Sequence, residues 1–240
     1  FRVCLGAGFR SMRDAARVIR AVFKAGFLPS ALEVADAFTL AAARERTGSR
    51  RFDGCNAHLI VELDGLEKSV RSELRNVKRL LEPLKPRFVD QALGAEAVEA
   101  IWQLRREFSY SLRDTGLVKL NEDIVVPRGC LEKLLAFTAR LQKKHGMPVA
   151  CFGHAGDGNI HVNVMVDDTQ VGHEQRRDAA LDELFRWIVK HDGVITGEHG
   201  IGIAKKRWWP LAAGPEVRRL HQAVKDALDP IGIMNPGKFL

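Results

Sequence analysis

A short β-rich segment followed by an amphipathic helix recurs along this chain. Apolar runs predict the strands, and apolar residues spaced three and four apart predict the helices. The units are 57–63 with 67–84, 123–126 with 128–145, and 160–166 with 174–191. They suit ferredoxin-like split βαβ units, an α+β fold with an antiparallel sheet and helices packed on one face. No linker rich in Pro, Gly or Ser interrupts the chain, so we expect one domain over 1–240.

The same patterns predict the remaining elements. Four further helices are expected at 12–25, 35–46, 95–112 and 216–228. Three further strands are expected at 87–89, 149–152 and 194–196.

The composition is that of an ordinary globular protein, with 46% hydrophobic and 28% charged residues. No apolar run reaches the roughly 18 residues of a spanning helix. The net charge of +7 fits an anionic substrate, a nucleic acid or an acidic protein surface. Its basic residues are scattered pairs typical of solvated helix faces, and no strand is basic and aromatic, so no nucleic-acid partner is expected. The four cysteines form no Cys-x-x-Cys pair, which favours reduced, cytosolic thiols.

The densest group of chemically active residues is the segment CFGHAGDGNIHVNV, residues 151–164. Its two β-rich flanks meet at Asp157-Gly158, a dipeptide that favours a two-residue type I′ turn. That turn pairs His154 directly with His161, and Asn163 shares their face. Cross-strand Cβ atoms lie about 4.5–5.5 Å apart, so both imidazoles can reach one ion at roughly 2.0–2.1 Å.

A second group, TGEHGIG at residues 196–202, follows the strand predicted at 194–196. Its glycines permit a sharp turn and leave room around Glu198 and His199. Two imidazoles and one carboxylate make a divalent cation site with open positions, suited to zinc, manganese or iron. The residues alone leave a plainer interpretation open, in which Gly-Asp-Gly is only a turn and Glu198-His199 only an exposed pair.

The helix predicted for IWQLRREFSYSL, residues 101–112, places its aromatic side chains in the core. Arg105 and Arg106 are then exposed, or one of them forms the bidentate clamp that a carboxylate substrate requires. The tripeptide GAG at 6–8 lacks the third glycine of a dinucleotide fingerprint. The sequence has no Walker loop, no Gly-x-Ser-x-Gly elbow and no His-Glu-x-x-His helix, so nucleotide hydrolysis, esterase and ordinary zincin chemistry lose their usual support.

Three segments carry a family resemblance: GHAGDGNIHVN at 153–163, ITGEHGIGIAKK at 195–206 and DPIGIMNPGK at 229–238. Together they resemble the C-terminal cap domain of FAD-linked oxidases of the vanillyl-alcohol-oxidase type. The most similar members are D-2-hydroxy-acid dehydrogenases: D-lactate dehydrogenase, D-2-hydroxyglutarate dehydrogenase and the glycolate oxidase flavoprotein subunit. The resemblance covers nearly the whole chain.

The resemblance implies a flavoprotein in which a separate N-terminal domain binds FAD, while this domain covers the flavin ring and forms the substrate pocket. A divalent metal, zinc or manganese, is then bound by His154, His161 and Glu198. The other implied site residues are His199 as the catalytic base, Arg105, Ser109, Lys119 and Asn163 in contact with substrate, and Asn235 close to the flavin.

One position departs from the family pattern. Hydroxyglutarate-type members carry a substrate lysine where this chain has Asn121, and Lys119 is the candidate to replace it. Ser109 stands where those members carry threonine and keeps the hydroxyl. The distal group of the substrate therefore stays open.

The expected reaction is oxidation of a D-2-hydroxy acid, such as lactate, glycolate or 2-hydroxyglutarate, with hydride transfer to FAD. A quinone, a flavoprotein or a cytochrome then accepts the electrons. The family further implies a cytoplasmic enzyme that associates peripherally with the inner membrane and allows a homodimer. The chain begins at Phe1 and lacks the flavin-binding half, so we expect a fragment that is inactive alone. The ligand set leaves one alternative, a free-standing His/His/Glu metal-dependent hydrolase.

Overall fold

The computed structural model describes residues 1–238 and 240, and among these it has seven strands and eight α-helices. The strands are β1 Arg2–Phe9, β2 Ala31–Asp36, β3 Ala57–Asp64, β4 Phe88–Leu93, β5 Val118–Val125, β6 Val149–His154 and β7 Asn159–Val166. The helices are α1 Met12–Lys24, α2 Ala37–Thr47, α3 Glu67–Leu81, α4 Ala95–Arg113, α5 Leu131–His145, α6 His173–Lys190, α7 Trp209–Ala212 and α8 Pro215–Leu228. None of the described helices is long and apolar enough to cross a bilayer.

All seven strands form one sheet in the order β4-β1-β3-β2-β6-β7-β5, and every neighbouring pair is antiparallel. The expected α+β class with an antiparallel sheet is confirmed. Strand β6 pairs with β2 on one side and with β7 on the other, so residues from distant parts of the sequence meet there. The candidate site lies on these central strands and on β5.

The strands present alternate side chains to two different layers. Leu59, Val61 and Leu63 of β3 belong to the larger core, which packs against α1, α3, α5 and α6. On the opposite face, α2 and α4 pack over smaller cores that include Ala35 of β2 and Phe152 of β6. The expected helical layer on one face is therefore joined by two helices on the other. Beside α2 and α4, this opposite face, the second face of the sheet, carries polar side chains on β5, β6 and β7.

Strands β1 and β2 were not predicted, and the helix expected from residue 35 begins at Ala37. Both strands are buried along most of their length, so they lack the alternation of a half-exposed strand. Strand β1 also contains Gly8, where a Cβ atom would lie 2.4 Å from the Phe88 ring and 2.6 Å from Cys55 Sγ. The glycines of the GAG tripeptide thus lie in a strand, and at Gly8 close packing leaves no room for a side chain.

Two smaller differences concern β5 and the segment after α6. Strand β5 starts at Val118, five residues earlier than expected. Its first part is only partly buried and has no continuous apolar run, so the sequence pattern did not predict it as a strand. The prediction of a strand at 194–196 is wrong, since Val194 makes a single bridge to Val125 and the chain then enters a loop. That loop carries the TGEHGIG segment.

Candidate metal and substrate site

The β6–β7 hairpin brings the two candidate metal-binding histidines together in a register that differs from the predicted one. Asn159 lies opposite His154, and Phe152 lies opposite His161, so the predicted direct pair of histidines is wrong. The loop has four residues, with the Gly158 N–H donating to the His154 carbonyl at 3.0 Å. The observed register differs from the predicted one by two residues, an even number, so the two histidine side chains still lie on the same face of the sheet. Their ring centroids are 5.8 Å apart as diagonal neighbours.

Glu198 completes the predicted group from the loop after Val194. One ligand atom each of His154, His161 and Glu198 lies within 4.8 Å of the other two. Two atoms bound to one ion at about 2.1 Å are at most about 4.2 Å apart, so a small closing movement lets all three bind one divalent cation. The sequence segments 151–164 and 196–202 are thus brought to one place.

The chemistry of His161 fits a cation ligand. Its ring is buried, and its Nδ1 has no hydrogen-bond partner among the described residues. Burial and the positive charge of Arg105 lower the pKa of His161, which favours the neutral imidazole that binds metals. A buried nitrogen without a partner is a group that an ion or a water would satisfy.

Asp123 of β5 holds the loop that carries Glu198 and His199. Its Oδ2 accepts hydrogen bonds from the backbone N–H groups of Gly197, Glu198 and His199 at 2.8, 2.7 and 2.9 Å. Its Oδ1 accepts from Asn159 Nδ2 at 2.5 Å. Burial raises the pKa of Asp123, but these hydrogen bonds outweigh it and hold the pKa below its usual value. Sequence reasoning assigned no role to this residue.

His199 stacks on His161, with ring centroids 5.8 Å apart and planes inclined by 21°. Its Nε2 lies 3.8 Å from Glu198 Oε1, and about half of its side chain is exposed. The predicted base therefore borders the group of candidate ligands and is open to a substrate.

Glu33 of β2 is a second buried residue that sequence reasoning missed. It lies opposite His154 in the β2–β6 pairing, and its Oε1 contacts His154 Nδ1. Its Oε2 accepts from Arg105 Nε of α4 at 2.7 Å. Burial raises the pKa of Glu33, whereas His154 and Arg105 lower it, with a net decrease. The hydrogen bond to Glu33 raises the pKa of His154.

The other predicted substrate residues lie on the same face. Lys119 Nζ donates to Ser109 Oγ at 2.8 Å, and both line a cavity of about 380 Å³ with Arg113 and Asn121. Burial and the charge of Arg113 lower the pKa of Lys119. Asn163 is buried; its Nδ2 donates to backbone carbonyls, and its Oδ1 has no partner among the described residues.

Phe152 links the two parts of this face. Arg105 Cζ lies 4.8 Å and Lys119 Nζ lies 5.8 Å from the centroid of its ring. Asn235 is not brought to the cluster: it lies in the exposed segment after α8, and among the described residues its side chain makes no hydrogen bond to the other candidates.

Solved structures share this fold over nearly the whole chain. 4-Ethylphenol oxidase from Gulosibacter chungangensis gives a TM-score of 0.71 at 15% identity, covering 99% of this chain and 53% of that chain. p-Cresol methylhydroxylase gives a TM-score of 0.68 at 17% identity, with 99% and 52% covered. At such identities the likeness shows the fold alone.

Sequence relatives are more specific. The glycolate oxidase subunit GlcD of Escherichia coli (strain K12) is 30% identical over 235 residues, which cover 97% of this chain and 46% of the relative. The mitochondrial D-lactate dehydrogenase [cytochrome] of Arabidopsis thaliana is 28% identical over 238 residues, which cover 97% and 41%. The chain spans about half the length of the curated relatives it matches.

The family model described as "FAD linked oxidases, C-terminal domain" matches residues 1–239. This match, over the same segments that carry the motif resemblance, confirms the predicted family. The chain belongs to the C-terminal domain family of FAD-linked oxidases.

Proposed function

We propose that this domain forms the substrate side of an FAD-dependent dehydrogenase that oxidises a small D-2-hydroxy acid to the 2-oxo acid. The relatives named glycolate oxidase and D-lactate dehydrogenase supply the substrate class. The observation that carries the proposal is a group of three candidate metal ligands with an imidazole and an arginine beside it: His154, His161, Glu198, His199 and Arg105.

The oxidation removes a hydroxyl proton and a hydride from the substrate. When bound, FAD accepts the hydride, and a divalent cation, zinc or manganese, polarises the hydroxyl and carboxylate oxygens. His199 takes the hydroxyl proton at a ring nitrogen, since imidazole is a base near neutral pH. Arg105 binds the substrate carboxylate through guanidinium N–H groups other than the Nε that contacts Glu33. Asn163 is proposed to contact the substrate as well, because its Oδ1 has no partner among the described residues, although this oxygen is buried.

The far end of the substrate is proposed to enter the cavity beside Lys119. Two cations and a hydroxyl line this cavity, from Lys119, Arg113 and Ser109, and Phe152 separates it from Arg105. An acid with a second anionic group therefore matches the site better than glycolate, which has no further group to place there. Lys119 would then replace the substrate lysine that hydroxyglutarate-type members carry at the position of Asn121.

The whole enzyme is proposed to associate peripherally with the cytoplasmic side of the inner membrane and to pass electrons to a quinone, a flavoprotein or a cytochrome. Support comes from the charge distribution. The adjacent helices α1, α3 and α5 carry thirteen basic and four acidic side chains. Eleven of the basic ones are exposed. Because these helices cover the sheet face opposite the site, an anionic surface bound there leaves the site accessible. Asn235 is proposed to approach the flavin.

The test is dye reduction by the FAD-loaded protein that contains this domain, with a panel of D- and L-2-hydroxy acids of increasing length, before and after chelation. We expect reduction by D-acids, strongest for an acid with a second carboxylate, and loss of activity on chelation. His199→Ala should lower turnover by about 10²–10⁴-fold and leave FAD bound. His173→Ala, a substitution at the start of α6, is the control.

Two results would contradict the proposal: no reduction by any 2-hydroxy acid, or unchanged turnover of His199→Ala. Metal-dependent hydrolysis by this domain alone would favour the hydrolase alternative instead.

A further inference from the structure

Glu33 connects two parts of the site that the sequence treats separately. Its side chain is 3% exposed and that of Arg105 is 13% exposed. One carboxylate oxygen contacts His154 Nδ1, and the other accepts from Arg105 Nε. The strand register fixes this contact, because Glu33 of β2 lies directly opposite His154 of β6. A carboxylate from the first sixth of the chain thus contacts both a candidate metal ligand and a candidate substrate clamp.

The contact determines which nitrogen of His154 can bind an ion. Because Nδ1 is engaged by Glu33, Nε2 is the nitrogen left for a cation. A carboxylate that accepts from one ring nitrogen fixes the tautomer and the ring orientation and makes the other nitrogen a better ligand. The His161 ring has no such carboxylate partner, and its Nδ1 is unpartnered among the described residues. Of the two candidate histidine ligands, His154 is therefore the one whose ring is oriented by a carboxylate.

The contact also determines where Arg105 lies. The guanidinium is held between Glu33 at 2.7 Å and the face of Phe152 at 4.8 Å. This leaves the two terminal NH₂ groups of Arg105 as donors for a substrate carboxylate. Without the Glu33 carboxylate, a mostly buried guanidinium would lose its only acidic partner among the described residues, and such a charge would reorient.

We propose that Glu33 is a positioning residue that couples the metal and substrate parts of the site, by orienting His154 for the cation and Arg105 for the substrate carboxylate. The inference rests on the proposed function. It predicts that one substitution, at a residue that touches neither ion nor substrate, weakens the binding of both.

The key variant is Glu33→Gln. An amide offers one acceptor oxygen where the carboxylate offers two, so its NH₂ group must face either His154 or Arg105. Glu33→Asp keeps the charge but withdraws it by one methylene, and it carries the test if the glutamine variant does not fold. Glu62→Gln is the matched control, because Glu62 is also buried on this face of the sheet but its carboxylate binds Arg2 and the Trp102 indole instead of a candidate metal ligand or Arg105.

The measurement is the affinity of the FAD-loaded enzyme for Zn²⁺ and Mn²⁺, by competition with a chromophoric chelator, together with kcat and KM. We expect Glu33→Gln to weaken cation affinity by about 10–100-fold and to raise KM, whereas Glu62→Gln changes neither. In an Arg105→Gln background, the Glu33 substitution should still weaken cation affinity but add little to KM.

The outcomes separate the inference from the proposed function. If the wild type binds a cation and both Glu33 variants bind it equally well, the inference is overturned and the metal site stands. If the wild type binds no cation, the proposed site itself fails, and the inference fails with it.

Discussion

Asp123 shows how one buried carboxylate can set the position of a whole loop. Three consecutive backbone N–H groups converge on its Oδ2, as they do around anions bound in backbone nests. Gly197 is required beside it, since a Cβ there would lie 2.2 Å from Asn159 Nδ2 and 2.7 Å from Asp123 Oδ1. The glycines of TGEHGIG were interpreted as giving freedom to turn; at Gly197 the reason is close packing against Asp123.

We expect Asp123→Ala to lower the free energy of unfolding by about 2–4 kcal/mol, because the buried Asn159 amide and three backbone N–H groups lose a charged acceptor. Cation affinity should fall as well, since Glu198 is no longer held in place. Urea unfolding followed by circular dichroism measures the first effect. Asp167→Ala is the control, because Asp167 accepts similar loop hydrogen bonds at an exposed position and should change stability by less than about 1 kcal/mol. Equal effects of the two substitutions would contradict this account.

Residues that share a short motif were predictable, and their partners in distant strands were not. His154 and His161 are seven residues apart in one hairpin, so their common face follows from strand periodicity even with the register wrong by two. Glu33 is a single acid in an apolar run, and its partner lies 121 residues away. Nothing local in the sequence marks such a contact, because it depends on which strands become neighbours in the sheet.

At the scale of elements, the missed strands β1 and β2 have one β-branched residue each, whereas β3 and β7, which are buried to the same extent, are richer in Val and Ile and were predicted. Most residues of β1 are buried, and a continuous apolar run does not distinguish a strand from a helix. The helices with one apolar side, such as α1, α3 and α6, were predicted within a few residues. The α+β class could therefore be predicted from the sequence, whereas the order of the strands could not.

The two glycines of β1 provide a test at this scale. We expect Gly8→Ala to lower the free energy of unfolding by about 1–3 kcal/mol, because the added methyl overlaps the Phe88 ring and Cys55 Sγ. Gly6→Ala is the matched control in the same strand, since its Cβ would lie 3.5 Å from His58 Nε2, an ordinary contact. Thermal unfolding of both variants measures the difference; a larger loss for Gly6→Ala would show that the packing around β1 is misassigned.

The buried ring of His58 should make the stability of the whole molecule depend on pH. His58 packs among Phe52, Phe88 and Phe108. Burial, aided by the charge of Arg51, lowers the pKa of His58 to about 3, from about 6.5 in the unfolded chain. Between these pH values the unfolded state binds more protons than the folded state. The contribution of His58 to the free energy of unfolding is therefore highest above pH 6.5 and decreases as the pH falls toward 3.

We expect the free energy of unfolding of the wild type, relative to His58→Leu, to fall by up to about 1.4 kcal/mol per pH unit below pH 6.5. Above pH 6.5 the difference should be constant. Urea unfolding at several pH values measures it. A pH-independent difference down to pH 4 would mean that His58 is not buried as a neutral ring.

The segregated charge of the molecule predicts its behaviour at an anionic surface. Each basic side chain near such a surface contributes about 1 kcal/mol. Reversing Arg13 and Arg17, both exposed on α1, to Glu should weaken binding of the enzyme to phosphatidylserine vesicles by at least about 10-fold. Reversing Arg186 and Lys190 on α6, where charges balance, is the control. Sedimentation with vesicles, at low and high salt, measures the effect. Vesicle binding that depends neither on the salt concentration nor on the α1 substitutions would contradict peripheral association through the face formed by α1, α3 and α5.

The proposed function depends on one divalent cation bound by His154, His161 and Glu198 beside His199. Anomalous diffraction at the zinc or manganese edge, from crystals of the FAD-loaded enzyme grown with that metal, would locate this cation. We expect a single strong peak on the second face of the sheet, about 2.0–2.2 Å from a nitrogen of each histidine and from a Glu198 oxygen. An ordered site with no peak, or with the metal bound elsewhere, would contradict it.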